Sequence, residues 1–427
     1  MSTSALTTLD QWLAYQETLH KPAIDLGLQR VSEVANRLGL LRKNCPVITI
    51  AGTNGKGSCV ALLESILIEA GYSIGSYTSP HLLRYNERVR INLKEVTDEA
   101  LCEVFAQIDQ ARGETSLSYF EFGTLAALSL FGRVRLDAII LEVGLGGRLD
   151  AVNILDPDLA IITSIGLDHT EWLGKDRESI GFEKAGIMRP RVPAVCGDAD
   201  TPRSIISHAA RLGAPLYTFG TDFSYRRHGA GWDWYAPSGR WEDLNLPALK
   251  GEIQLQNASS VLLGLMLLRD RFPVDLGAIN RGLAKVSLAG RYQCIQGEVE
   301  ILLDIAHNSA SAQALAATLK NHPLSGRTHA VLAVLSDKDA SGIVGRLRTC
   351  VDFWYLSEVD SARALPAAKL AEWVELQAPN TVRRSFSSIE PAYRAACQQA
   401  LAGDRILVCG SVLTVSAVLS LINQQEA

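Results

Sequence analysis

Short apolar runs rich in β-branched residues alternate along this chain with longer stretches whose apolar positions recur at helical spacing. Residues 47–51, 137–143, 159–165, 299–303, 330–335, 353–356 and 405–409 read as strands, several of them apolar on both faces, as a parallel sheet covered on both sides requires. Between them, 58–70 (Val60, Leu63, Ile66, Leu67) and 310–319 (Ala314, Leu315, Leu319) carry one apolar helical stripe each. Parallel strands joined by crossover helices follow, which is an α/β protein. Residues 222–241 break the pattern: Tyr, Trp, Gly and Arg alternate there as in a small antiparallel excursion. An apolar helix over 257–271 and a glycine-terminated hinge over 284–290 come next, and the alternation restarts at Arg291. The chain therefore divides into a larger domain, 1–288, and a smaller α/β domain, 289–427.

Composition narrows the class. The 427 residues are 47% hydrophobic and 20% charged, with 41 Lys plus Arg against 46 Asp plus Glu and a net charge of −5. Such a balance gives no broad basic field for nucleic acid or an anionic membrane, so any anion must be held locally. Residues 1–10 lack the basic start and apolar core of a secretory leader, and no run of about 18 apolar residues occurs; a cytoplasmic, non-membrane protein is expected. Eight cysteines without a CxxC pair read as reduced, buried small hydrophobes.

Local chemistry is concentrated where the strand 47–51 runs into Gly52-Thr53-Asn54-Gly55-Lys56-Gly57-Ser58 and then a helix. Three glycines let backbone N–H groups converge on phosphate oxygens, and the helix N-terminus adds partial positive charge. Lys56 supplies a mobile full charge and Ser58 a hydroxyl suited to a metal. The spacing departs from GxxxxGK[ST], so this is a variant phosphate loop (P-loop). Neither a GxSxG elbow nor a cysteine flanked by histidine is present, and covalent catalysis has no obvious nucleophile.

The loop, with Tyr77-Thr78-Ser79-Pro80-His81-Leu82, Tyr119-Phe120-Glu121-Phe122, Leu141-Glu142-Val143-Gly144-Leu145-Gly146-Gly147-Arg148-Leu149-Asp150, Leu167-Asp168-His169-Thr170, Glu183-Lys184-Ala185-Gly186, Gly290-Arg291, Asp304-Ile305-Ala306-His307-Asn308 and Asp337-Lys338-Asp339, resembles the folate branch of the Mur ligase superfamily over nearly the whole chain. The resemblance implies a P-loop-containing, mostly parallel sheet domain followed by a smaller Rossmann-like domain. It implies an ATP-dependent ligase that adds L-glutamate to dihydropteroate and to folates through an acyl phosphate. The segment 23–28 with Arg30-Val31, and 117–122, are similar to the bifunctional bacterial enzymes; a folate-only ligase, a Mur-type peptide ligase and an ATP-driven binding module remain as alternatives.

What the resemblance implies residue by residue is as follows. Gly52, Thr53, Asn54, Gly55, Lys56, Gly57, Ser58, Asn257, Arg291 and Asp304 bind ATP. Ser79, Glu142, His169 and Ser58 hold Mg²⁺, with two sites expected and a monovalent cation left open; the imidazole makes Mn²⁺ equally suitable on chemistry alone. Lys56, Lys184, Arg291, His307 and Asp304 are catalytic, Lys184 as a carbamate. Phe120, Asp150, Ala151 and Ser411 border the substrate. Several of these have plain structural alternatives: His169 a hydrogen-bonded core histidine, Lys184 half of a surface pair with Glu183, Asn257 a helix cap, Arg291 a hinge ion pair, Asp304 a cap of the next helix, Phe120 a core aromatic. Ser309, Val152 and Val412-Leu413 depart from the family pattern of proline, threonine and an aromatic pair. A monomer is expected.

Overall fold

The computed structural model describes residues 6–22 and 24–426; the first five residues of the 1–10 segment and Ala23 of the 23–28 segment lie outside the described residues. The chain forms two compact units, Met1–Ala248 with Leu255–Val286 and Leu249–Gln254 with Ser287–Ala427.

In the first unit, strands β1 (Val47–Ala51), β2 (Ile74–Tyr77), β3 (Val89–Ile91), β4 (Lys94–Glu95), β5 (Ala138–Glu142), β6 (Leu159–Ile162), β7 (Ala194–Cys196) and β8 (Leu216–Thr218) form one sheet in the order β4-β3-β2-β5-β1-β6-β7-β8. Pairing is parallel from β2 to β8, and β3 and β4 add an antiparallel edge. β1 is buried at every position, which is why its sequence is apolar without alternation. The helix Lys56–Glu69 leads from β1 to β2, two places away, while β6 lies on the other side of β1. The strand order thus reverses around β1, and the carboxyl ends of its neighbours open onto a common crevice, where doubly wound sheets bind ligands.

The expected excursion is the antiparallel sheet β9 (Ser224–His228), β10 (Gly231–Ala236) and β11 (Gly239–Asn245). Trp232 and Trp234 are its buried anchors, with indole N–H groups donating to the Asn245 and Ser259 carbonyls at 2.9 and 3.1 Å. The apolar helix expected over 257–271 is Glu252–Leu267. It begins earlier because Glu252, Gln254 and Gln256 are good helix formers that the apolar stripe alone does not reveal.

The second unit holds β12 (Gln293–Ile295), β13 (Glu300–Leu303), β14 (Thr328–Leu332), β15 (Phe353–Leu356), β16 (Val382–Ser385) and β17 (Arg405–Cys409), in the order β12-β13-β17-β14-β15-β16. All pairs are parallel except β12 with β13. The run 299–303 is therefore the second strand of this sheet, after the half-exposed β12, whose three residues Gln293, Cys294 and Ile295 carry too little hydrophobic signal to be read. No helix among the described residues is long and apolar enough to cross a membrane.

Candidate active site

The helix Lys56–Glu69 opens on Gly55, left-handed at φ 92°, without a side-chain cap. Its first N–H groups are thereby offered to an anion. The loop is clamped onto the end of β6. Thr53 N–H donates to the Ser164 carbonyl at 2.7 Å, Thr53 Oγ1 exchanges hydrogen bonds with Gly166, and Thr163 Oγ1 donates to the Asn54 carbonyl at 2.6 Å. A Cβ on Gly52 would lie 1.7 Å from Thr163 Oγ1, and one on Gly55 2.6 Å from Asn257 Oδ1; only glycine permits these approaches. Asn257 lies inside Glu252–Leu267 and so does not cap that helix. Its buried side chain packs on the phosphate loop instead.

Two lysines meet at this loop. Lys56 Nζ and Lys184 Nζ each donate to the Gly52 carbonyl at 3.0 Å. Lys184 is 4% exposed. Burial, and secondarily the charge of Lys56, push its amine down to about 7. Glu183 turns away to a bidentate pair with Arg148, so the surface pair between Glu183 and Lys184 is not formed.

Glu142 ends β5 and is 5% exposed. Its Oε2 accepts the N–H of Ser79, just past the neighbouring β2, at 3.2 Å. Cys59, in the first turns of the loop helix beside buried Ser58, senses the Glu142 carboxylate, although burial is the main cause of its raised thiol pKa. His169 sits at φ 50°, its N–H donating to Asp168 at 2.9 Å and its ring one-third exposed, so it is no core histidine. Asp168 in turn acts electrostatically on Lys184.

The substrate-side residues flank the same loop. Asp150 is buried, caps the turn Ala151–Ile154 and accepts the N–H groups of Leu145 and Val152 at 2.8 and 3.1 Å. Burial raises its carboxyl to about 7 against those bonds and the charge of Lys56. Ala151 and Val152 are buried beside it. Phe120 is half-buried, its ring 2.7 Å from where a Cβ on Gly144 would stand and 5.7 Å from the Tyr77 ring. The early segment joins here: Arg30 pairs with Asp25 at 2.7 Å and Glu121 at 3.2 Å. Sequence reasoning missed Arg88, buried between the faces of Tyr85 and Tyr119 at 5.3 and 5.5 Å, with Nε donating to His81 Nδ1 at 2.8 Å. Burial and Arg88 lower the His81 imidazole to about 4. The available signal was a basic residue closing the short turn Tyr85–Arg88, just before β3 and close in sequence to the Ser79-Pro80-His81 loop.

In the second unit, Asp304 and His307 follow β13. Asp304 accepts the N–H groups of Tyr292 at 2.9 Å and Ala306 at 2.8 Å; Asn308, not Asp304, caps the next helix. Burial raises the Asp304 carboxyl, with Arg291 the largest opposing influence. His307 Nδ1 lies 2.9 Å from the Ile305 carbonyl, which can accept its N–H, and Nε2 lies on the Asn308 side. Ser411 is buried and caps the final helix, its Oγ accepting the Thr414 N–H at 3.0 Å. Elsewhere, His228, Asp233 and Asp243 bring ligand atoms within 4.8 Å of one another, but Asp233 is already engaged by Arg226, His228, Tyr235 and the Asp243 N–H.

Residues 50–236 match the Mur ligase middle domain, and residues 290–412 match the Mur ligase glutamate ligase domain. The dihydrofolate synthase/folylpolyglutamate synthase of Escherichia coli K12 is 44% identical over 423 residues, 99% of this chain and 97% of that one. A solved structure of E. coli FolC in complex with DHPP and ADP superposes with a TM-score of 0.93 at 44% identity, covering 99% of both chains. A bifunctional folylpolyglutamate synthase/dihydrofolate synthase with Mn, AMPPNP and L-glutamate bound superposes at 0.91 and 44% identity, covering 98% of this chain and 99% of that one.

Proposed function

The chain belongs to the dihydrofolate synthase/folylpolyglutamate synthase family of Mur ligases, and from that premise we propose how its own residues serve the reaction. It is an ATP-dependent carboxylate–amine ligase that adds L-glutamate to dihydropteroate and to folates. A substrate carboxylate oxygen attacks the γ-phosphorus of ATP, and ADP leaves. The amine of glutamate then attacks the acyl carbon of the resulting acyl phosphate, inorganic phosphate departs, and the amine loses its proton. Little covalent help is needed in such chemistry; positioning and neutralisation of charge dominate.

The observation that carries this reading is the pair of lysines on the Gly52 carbonyl, beside an uncapped helix start. Gly52, Thr53, Asn54, Gly55, Gly57 and Ser58 cradle the phosphates, Lys56 neutralises them, and Asn257 supports the loop at Gly55. Arg291, a planar and permanently charged fork, meets the γ-phosphate in the transition state, with Asp304 orienting it. His307 Nε2 takes the proton of the attacking amine, which must be neutral to react. Phe120 stacks on the substrate ring, with Asp150 and Ala151 beside it. Ser411 has a capping role already, and its proposed contact with substrate uses the remaining capacity of its hydroxyl.

Ser79 Oγ, Glu142, His169 and Ser58 Oγ are the proposed ligands, hard oxygens and one imidazole, a chemistry that suits Mg²⁺ or Mn²⁺. When bound, such an ion screens the phosphate charge. A buried amine held near 7 is partly neutral at physiological pH and can add CO₂, releasing a proton, to give a carbamate able to support a second ion. All eight cysteines are free, which fits a reducing cytoplasm, and we keep the monomer as the working state.

The test is ADP release with glutamate plus dihydropteroate, plus tetrahydrofolate, or plus a muropeptide. Turnover with both pterins and none with the muropeptide is expected. Tetrahydrofolate alone would leave a folate-only ligase, and dependence on neither pterin would sink the reading.

A further inference from the structure

Arg88 and Arg405 are the fully buried arginines among the described residues. Arg405 has its counter-charge in Glu300. Arg88, 9% exposed, has none: among the described residues no carboxylate forms an ion pair with it. The neighbouring acids are committed elsewhere. Glu87 accepts the N–H groups of Leu82, Leu83 and Arg84; Glu64 holds Arg90 and Ser76; Asp98 takes Asn86 and Arg84. A buried cation without a partner is strongly disfavoured unless something else supplies the negative charge, and stacking on two tyrosines replaces only part of it. Nε donates to His81, the guanidinium also acts on the buried Tyr77 hydroxyl, and none of its nitrogens is sealed off without a partner. The open edge of the fork therefore remains available to a ligand.

Its position says which ligand. His81 is two residues from Ser79, which donates to Glu142, and Tyr119 adjoins Phe120 in sequence, whose ring packs on Tyr77. We propose that Arg88 receives the α-carboxylate of the terminal glutamate of a folate acceptor and so determines how well the enzyme extends folates relative to dihydropteroate. The inference rests on the two-acceptor reading given above. Dihydropteroate carries a single carboxylate, the one that reacts. A glutamyl acceptor carries two, and the one that does not react needs a counter-charge, which a bidentate arginine provides.

The experiment pairs the protein variant with a substrate variant. Arg88→Gln should lower the folate-to-dihydropteroate ratio of kcat/KM at least about tenfold, chiefly through KM for folate, and Arg88→Lys should recover part of it. With the wild-type enzyme, a folate whose α-carboxylate is replaced by a carboxamide should lose a similar factor, and Arg88→Gln should lose little more with that analogue. Equal losses for both acceptors, or an undiminished carboxamide effect in the variant, would overturn the proposal while leaving the ligase reading intact. Wild-type enzyme inactive on both pterins would remove that reading itself.

Discussion

Replacing Lys184 with methionine isolates a strongly perturbed group in the site. An amine that drops from 10.5 to about 7 has its charged form disfavoured by roughly 5 kcal/mol relative to the unfolded chain, at about 1.4 kcal/mol per tenfold. The group is fully enclosed, so solvent screening does not reduce this as it would at the surface. In the unfolded chain the amine stays protonated up to its ordinary pKa, whereas in the folded protein it is neutral above about 7. The unfolded state thus binds one more proton across that window, and stability contributed by this group rises with pH. Lys184→Met should lack this rise. Between about pH 8 and pH 10, wild-type stability should gain on the variant by on the order of 2 to 3 kcal/mol. Asp150, raised to about 7, has the opposite sign, its contribution falling as pH climbs through that value, which is why the comparison is made above it. The lost hydrogen bond to Gly52 shifts the variant by a constant and leaves the slope alone. Denaturant unfolding of both proteins in CO₂-free buffers measures the difference, and parallel pH curves would refute the argument by showing that Lys184 stays charged when folded.

Gly55→Ala places a Cβ 2.6 Å from Asn257 Oδ1 at φ 92°, and should weaken nucleotide binding by about tenfold or more, read by titration with a fluorescent ADP analogue. Glu142→Gln removes the charge from the donor set, so Mn²⁺ binding followed by electron paramagnetic resonance should weaken by about tenfold or more while the fold, read by circular dichroism, is kept. Arg291→Ala should depress kcat far more than nucleotide affinity, because its charge matters only when the phosphoryl group is in flight; an unchanged kcat would exclude that role.

The α/β class was legible because β1, β15 and β17 are short apolar runs with no alternation, and 222–241 announced itself by alternating Tyr, Trp, Gly and Arg. Strands such as β7 and β12, three residues each, carry too few positions for a period, and they form because neighbouring strands supply the pairing. Gly52 to Ser58 were readable as a loop, since glycine spacing reflects backbone conformation. The clamp on Thr163 and Asn257 was not, because it joins residues more than a hundred positions apart. For the same reason the burial of Lys184 and the pairless state of Arg88 had no local signature: charge and desolvation at a site are set by whichever segments the topology brings beside it. Asn257 as a helix cap failed because the helix begins earlier, on polar helix formers, whereas Asp304 failed because its carboxylate is taken by the N–H groups of Tyr292 and Ala306 and Asn308 sits at the cap.

The central claim is that the substrate carboxylate is activated by taking the γ-phosphoryl group of ATP. Dihydropteroate labelled with ¹⁸O in its carboxylate tests it most directly, by mass spectrometry of the phosphate released in a glutamate-dependent turnover. One labelled oxygen transferred to phosphate is the predicted result. Phosphate free of label, with amide product formed, would contradict it.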